Sequence, residues 1–147
     1  MYDSIHKKWM KRALKLASLG KGSTSPNPLV GAVILDGEGE LISEGFHHKA
    51  GMQHAEAMAF NNLQRDPRGG TLYVNLEPCC HYGKTPPCVK KIIDSGISTV
   101  YVSIKDPDRR VSGKGIQLLK EAGIKVNLGL CKTEAEVLNR AFIYKNL

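Results

Sequence analysis

The segment TLYVNLEPCC, residues 71–80, decides the fold of this chain of 147 residues. Its β-branched, aromatic and apolar residues predict a buried strand over Thr71–Leu76. A Glu-Pro-Cys sequence ending at Cys79 follows this strand at its carboxyl end, where open α/β sheets place their ligands. A later cysteine, Cys88, begins a predicted helix that stops at Gly96. The segment therefore predicts an α/β fold with a functional site at the edge of its sheet.

Helical and strand patterns alternate along the rest of the chain. Apolar residues recur at helical spacing from Ile5 to Ala17 and predict an amphipathic first helix. Two apolar runs, Leu29–Leu35 and Leu41–Phe46, flank a turn that contains two glycines and predict an antiparallel hairpin. The later predicted elements are, in order, a helix over 54–64, the strand Thr71–Leu76, the helix from Cys88, a strand over Thr99–Ile104, a helix over 115–122, a strand over Lys125–Leu130 and a helix from Thr133.

The order of these elements predicts the architecture. Because the last strands follow helices, we expect them to pair in parallel with right-handed crossovers, whereas the hairpin is antiparallel. We therefore expect residues 1–147 to form a single three-layer α/β/α domain around a central mixed five-stranded sheet.

Length and composition agree with one domain that needs no disulfides. The chain is 41% hydrophobic, and at its size it can bury about two-thirds of its unfolded surface. Of its 4 cysteines, Cys80 and Cys131 are expected to be free thiols, which suits a reducing compartment. The sequence contains no signal peptide or long apolar run. We therefore expect a cytoplasmic protein with no membrane segment.

The charge of the chain narrows the choice of partner. A net charge of +7 suits a phosphorylated small molecule as well as a nucleic acid. The sequence has no basic stripe interleaved with aromatic residues of the kind that stacks single-stranded bases. The predicted first helix carries several of the positive charges, and such a run is usually a solvated face. These charges are Lys7, Lys8, Lys11, Arg12 and Lys15. The composition therefore disfavours nucleic acid as the partner.

His54, Cys79 and Cys88 form the pattern of a metal centre. One imidazole and two thiolates have the softness that zinc accepts. Three protein ligands leave the fourth tetrahedral position to water, whereas a structural zinc site fills that position with protein. Zinc lowers the pKa of such a water to about 7. Glu56, two residues after His54, is close enough to exchange protons with it, so the pattern predicts a catalytic zinc centre with Glu56 as proton carrier.

The order H-x-E, P-C and C is the signature of zinc-dependent nucleobase deaminases. The segment CHYGKTPP, residues 80–87, separates the two cysteines, where the signature has only about two residues. This segment closely resembles the deaminase domain of the bacterial bifunctional riboflavin-biosynthesis deaminase/reductase family. The resemblance covers nearly the whole chain and includes NPLVGAV at 27–33, DP at 106–107, GKGI at 113–116 and EAGI at 121–124.

The resemblance implies a cytidine deaminase-like fold, one zinc ion and a specific reaction. That reaction is hydrolytic removal of the 2-amino group from 2,5-diamino-6-ribosylamino-4(3H)-pyrimidinone 5′-phosphate, which yields the pyrimidinedione and ammonia. The resemblance also implies a homo-oligomer. The family's NADPH-dependent reductase domain is not expected in a chain that stops at Leu147, which is either naturally monofunctional or an excised domain.

The resemblance further implies that Asn27, His47, His81 and Lys84 contact the substrate. The residues alone leave these roles open. Asn27 precedes a proline, which favours extended backbone, and either faces a ring or forms an Asx turn. His47 either contacts the substrate or is a surface residue, and His81 either does so or stabilises its loop. Lys84 is a point charge suited to the ribose phosphate or to the ring.

Three alternatives remain open from the sequence. The same centre could serve another nucleobase or a tRNA adenosine as substrate, although the long segment between the cysteines argues against this. A non-catalytic binding module stabilised by zinc is the alternative of a different class, and the separate Glu56 argues against it. A structural zinc site would use Cys80 or His81 as a fourth ligand.

Overall fold

The structure is a computed structural model that describes residues 2–22, 27–48, 53–81 and 86–145. Along these ranges the elements are α1 (Tyr2–Ser18), β1 (Gly31–Leu35), β2 (Leu41–Phe46), α2 (Ala55–Asn61), β3 (Thr71–Leu76), α3 (Cys88–Ser95), β4 (Thr99–Ile104), α4 (Lys114–Glu121), β5 (Lys125–Leu128), α5 (Lys132–Leu138) and α6 (Arg140–Lys145). Within these ranges no helix combines the length and the apolar character needed to span a bilayer.

The strands form one mixed sheet in the order β2-β1-β3-β4-β5. The strand β1 pairs antiparallel with β2 and with β3, whereas β3, β4 and β5 pair in parallel. The predicted hairpin, the parallel pairing of the later strands and the five-stranded sheet are therefore confirmed.

Helices cover both faces of this sheet. Neighbouring residues of a strand point to opposite faces, and in β3 both Tyr73 and Val74 are buried. Val74 belongs to a core cluster with Ala59 of α2 and Ile92 of α3. Tyr73 belongs to a second cluster with Met10 of α1, on the face that α5 also covers. The predicted three-layer α/β/α arrangement is confirmed.

Gly45 of β2 allows α2 to lie close to the sheet. A Cβ atom at this position would be 2.3 Å from the carbonyl oxygen of Ala55 and 2.7 Å from the amide nitrogen of Ala59. Both distances are too short for any side chain, so glycine is required here. The close packing fixes the first turn of α2, which carries Glu56, against the sheet.

Three of the five strands match their predicted boundaries. The predictions Leu41–Phe46, Thr71–Leu76 and Thr99–Ile104 are confirmed. The first strand begins at Gly31, and the prediction that it begins at Leu29 was wrong. At Leu29 the backbone N–H and carbonyl group bind the side-chain amides of Asn139 and Asn75 and not a neighbouring strand.

Other predicted boundaries were wrong where the chain turns away from its regular pattern. The helix predicted over 54–64 ends at Asn61, and the N–H of Gln64 instead donates to β2. The strand β5 ends at Leu128 and not at residue 130, because Gly129 has a φ of 110°. The single predicted terminal helix is divided into α5 and α6 at Asn139, whose side chain bonds elsewhere.

Candidate active site

Three elements bring the predicted metal ligands together. His54 directly precedes α2, Cys79 lies three residues after β3, and Cys88 is the first residue of α3. Their side chains form a group whose ligand atoms all lie within 4.8 Å of one another. Residues separated by up to 34 positions in the sequence thus meet at the carboxyl end of a central strand, as the sequence predicted.

The geometry of this group fits zinc. The Nδ1 atom of His54 lies 3.8 Å from Sγ of Cys79 and 3.6 Å from Sγ of Cys88. Tetrahedral zinc, with Zn–S near 2.3 Å and Zn–N near 2.0–2.1 Å, requires about 3.6 Å between such nitrogen and sulfur atoms. An ion of this kind could therefore be held with little rearrangement of these side chains.

The side chains of His54, Cys79 and Cys88 lie close enough to shift one another's pKa. The hydrogen bond from the Cys88 side chain, with those from His54 and from the Cys88 backbone N–H at 3.2 Å, lowers the pKa of Cys79 to about 4. The same bond between the thiols, together with burial, raises the pKa of Cys88. The pKa of His54 is raised, mainly by its hydrogen bond to Cys79. Because metal ligands must be deprotonated, a cation competes directly with these protons.

The alternative of a fourth protein ligand gains no support from the described part of the chain. There the metal-binding group contains His54, Cys79 and Cys88 and no further His, Cys, Asp or Glu. Cys80 packs against the hydrophobic core under α2 and α3. His81 is exposed and lines a cavity beside the metal-binding group. These three ligands match an open, catalytic zinc site better than a closed one.

Glu56 lies in the first turn of α2 and is only 4% exposed. Burial, and next the negative charge of Cys79, raise its pKa to about 7. A carboxyl group of this kind can hold a proton or release it near neutral pH, as a general acid and base must. Glu56 lines the same cavity as His54 and Cys79, which suits its predicted role as proton carrier.

This cavity has a volume of about 260 Å³. Asn27, His47 and His81, which the sequence predicted as substrate contacts, all line it. The predicted contact Lys84 lies outside the described residues. The cavity also has an apolar part that includes Val30, Leu76 and Phe142, and an additional carboxylate from Asp106.

Asn27 and His47 form a hydrogen-bonded pair on the cavity wall. His47 is 4% exposed, and its Nδ1 lies 3.1 Å from the carbonyl oxygen of Gln53. The Nδ1–H therefore donates to this carbonyl, and Nε2 accepts a hydrogen bond of 3.2 Å from the Asn27 side-chain amide. Burial lowers the pKa of His47, which favours this neutral form. The pair presents fixed polar groups to a ligand in the cavity.

Glu77 is a site residue that the sequence analysis did not single out. Its buried carboxylate accepts hydrogen bonds from the backbone N–H groups of Asp106 at 2.9 Å, Gly113 at 2.9 Å and Ile116 at 3.1 Å. Two of these donors lie at the beginning of α4. Glu77 thus joins the strand end that carries Cys79 to the loop of Asp106. A charged residue directly after a buried strand was the available signal.

We expect Glu77→Gln to lower the free energy of unfolding by about 1–3 kcal/mol, because its amide NH₂ would face a buried backbone N–H. Urea unfolding of the zinc-loaded protein measures the change. Glu121→Gln, an exposed change at the end of α4, is the matched control. Equal stability of the two variants would contradict the capping role of Glu77.

The fold and the site together are the arrangement of zinc-dependent deaminases, in which a His/Cys/Cys group and a nearby glutamate share one cavity. Comparison with known proteins agrees. Residues 3–104 match the family model of the cytidine and deoxycytidylate deaminase zinc-binding region. The chain belongs to this zinc-binding deaminase family and, within it, to the diaminohydroxyphosphoribosylamino-pyrimidine deaminases.

Three relatives carry this assignment. The diaminohydroxyphosphoribosylamino-pyrimidine deaminase of Buchnera aphidicola subsp. Schizaphis graminum is 47% identical over 91% of this chain and 90% of its own length. Riboflavin biosynthesis protein RibD of Aquifex aeolicus is 50% identical over 97% of this chain. The structure of Acinetobacter baumannii RibD, form 2, has a TM-score of 0.94 and 44% identity over 98% of this chain. The chain spans about 40% of the length of these two RibD proteins.

Proposed function

We propose that this protein hydrolyses the 2-amino group of 2,5-diamino-6-ribosylamino-4(3H)-pyrimidinone 5′-phosphate. The products would be 5-amino-6-ribosylamino-2,4(1H,3H)-pyrimidinedione 5′-phosphate and ammonia. The observation that carries this proposal is the convergence of His54, Cys79 and Cys88 with the buried Glu56 on one small cavity. The name of the Buchnera relative, which the chain matches over 90% of that protein's length, supports the choice of substrate.

We propose that zinc is held by Nδ1 of His54 and the sulfur atoms of Cys79 and Cys88. Bound zinc would supply Lewis acidity and lower the pKa of water at its open position. Glu56 would accept a proton from the attacking water. It would then deliver this proton to the departing amino group as the C2–N bond breaks, so that ammonia leaves and the ring carbon keeps the oxygen. One carboxyl group can serve both transfers because each one regenerates the form that the other needs.

The cavity walls would orient the pyrimidine ring. Asn27 and His47 offer hydrogen-bonding groups on one wall, and Val30 and Phe142 offer apolar surface. Such a mixture of apolar surface with a few fixed polar groups is typical of small-molecule sites.

The substrate phosphate requires a cation that the described part of this cavity does not provide. Among the described residues, no lysine or arginine lines the cavity, whereas Glu56, Glu77 and Asp106 do. We propose that Lys84, between the two zinc cysteines in the sequence, supplies this charge.

We expect Lys84→Ala to weaken binding and turnover of the ribotide by about 1.5–3 kcal/mol, the value of one charged hydrogen bond. An analogue without the phosphate should lose far less, and raised salt should reproduce part of the effect. Kinetics with both substrates at two ionic strengths measure this, with Lys21→Ala, an exposed change, as control. Equal losses for the two substrates would assign Lys84 to the ring or to the loop.

A deaminase assay on four compounds tests the proposed function. The diaminopyrimidine ribotide is compared with cytidine, guanine and adenosine-bearing tRNA, and release of ammonia is measured. We expect turnover of the ribotide and at most traces with the others. Turnover of cytidine, guanine or tRNA in its place would establish another deaminase, and no turnover of any compound by zinc-loaded protein would favour a binding module.

Two broader proposals concern the state of the protein in the cell. We propose a cytoplasmic location. None of the four cysteines, all of which lie in the described part of the chain, forms a disulfide, and disulfides are rare in reducing compartments. We also propose a homo-oligomer. Val137 and Tyr144 are 57% and 70% exposed and line one shallow groove on α5 and α6, which supports contact with another copy. Light scattering of the purified protein tests the second proposal, and a monomeric mass would contradict it.

A further inference from the structure

Asn139 makes a two-point contact with a distant backbone segment. It lies between α5 and α6, and it is only 4% exposed. Its Oδ1 accepts the N–H of Leu29 at 2.7 Å, and its Nδ2 donates to the carbonyl oxygen of Leu29 at 2.8 Å. A side-chain amide with this geometry takes the place that a neighbouring strand would occupy in a sheet.

Asn75 of β3 completes the contact from the other side. Its Nδ2 donates to the carbonyl oxygen of Leu29 at 3.0 Å, and its Oδ1 accepts the N–H of Gly31 at 2.8 Å. Two side chains, 46 and 110 residues away in the sequence, therefore satisfy the backbone of Leu29. Buried backbone groups without such partners would be costly, so the path of the chain before β1 depends on this pair.

The segment held in this way faces the catalytic cavity. Asn27, Pro28 and Val30 on both sides of Leu29 line the cavity, and Asn27 bonds His47. Phe142, three residues after Asn139, lines the same cavity. The pair α5 and α6, residues 132–145, which we name the C-terminal elbow, thus reaches the site directly through Phe142 and indirectly through Asn139.

The elbow lies after residue 104, the last residue that the zinc-binding family model matches. The zinc-binding region alone therefore leaves one wall of the cavity incomplete. Because the Oδ1 and Nδ2 atoms of Asn139 both bind the backbone of Leu29, its effect is expected on substrate placement and not on the metal.

We propose that the C-terminal elbow is a substrate-positioning element of this enzyme. Asn139 is a positioning residue that fixes the segment 27–30, and Phe142 is a wall residue against which the pyrimidine ring rests. The inference depends on the proposed function for its substrate. The contact between Asn139 and Leu29 can be measured without any substrate, so failure of this inference and failure of the proposed function can be distinguished.

Asn139→Leu tests the positioning role, since leucine has nearly the same size and removes both hydrogen bonds. We expect KM for the ribotide to rise about tenfold or more, the effect of about 1.4 kcal/mol, with kcat lowered less than KM is raised and zinc content unchanged. Arg140→Gln, an exposed change at the next position, is the matched control. Asn139→Ala replaces the leucine variant if that variant does not fold.

Hydrogen exchange tests the contact between Asn139 and Leu29 without any substrate, whereas the rise in KM at unchanged zinc content is the readout that a merely structural role would not move. In Asn139→Leu the amide of Leu29 should lose protection, whereas the amide of Gly31, bound by Asn75, should keep it. Phe142→Ala should raise KM and leave the Leu29 amide protected. Lower thermal stability of Asn139→Leu with unchanged KM, or loss of zinc, would overturn the positioning role. An inactive wild type would overturn the proposed function, and the exchange of the Leu29 amide would still decide whether Asn139 fixes the segment.

Discussion

Glu56→Gln is expected to lower kcat by at least about 10²–10⁴-fold, the usual value of general acid–base catalysis, while the zinc content and the fold are kept. The amide has the shape of the carboxyl group and cannot exchange protons. The loss can exceed this range, because the same group is proposed to serve two transfers. Steady-state ammonia release gives kcat, and metal analysis gives the zinc content.

The control for this variant is Glu38→Gln, which removes an exposed carboxylate on the turn between β1 and β2. It should leave kcat and zinc content at wild-type values. A near-native rate of Glu56→Gln would mean that another residue or solvent carries the proton. Loss of zinc from Glu56→Gln would instead show that the carboxylate stabilises the metal centre.

The parts of the site that the sequence predicts are those encoded by local patterns. Cys79 follows a buried strand, and Cys88 begins a helix that ends at Gly96 with a φ of 82°, a left-handed conformation that glycine adopts readily. Both positions follow from periodicity and helix-stop signals, so the structure places them as predicted. The family resemblance implied that Asn27 and His47 contact the substrate, and the structure brings these two residues together on the cavity wall.

The parts that the sequence does not predict depend on partners far along the chain. Asn75 lies within a strand pattern, and Asn139 lies within a helical pattern. In each case periodicity describes the backbone and cannot name the residue that the side-chain amide binds. The partner of Asn139 is 110 residues away, and Asn139 itself lies at the break between α5 and α6, where the local pattern predicts one continuous helix. Glu77 is similar, since its three backbone donors belong to a loop and a helix beyond β4.

The open, catalytic zinc site and the closed, structural one differ in which cysteines bind the metal. Substitution of Cys88 and of Cys80 distinguishes the two sites. Loss of a hydrogen bond to a metal ligand lowers metal affinity by about 10–100-fold. Because Cys88→Ser removes a ligand itself, we expect it to weaken zinc binding by more than this. Serine is close to cysteine in size, but its hydroxyl group does not supply the thiolate anion that zinc binds. Deaminase activity should be lost with the metal.

Cys80→Ser is the matched control, because its thiol lies beside Cys79 in the sequence and packs against the hydrophobic core. It should keep both zinc and activity. Competition with a coloured chelator measures the affinity of each variant. Retained zinc in Cys88→Ser, together with loss of zinc in Cys80→Ser, would show that Cys80 and not Cys88 is the third protein ligand. Loss of zinc in both variants would indicate four protein ligands, and such a site has no open position for the attacking water.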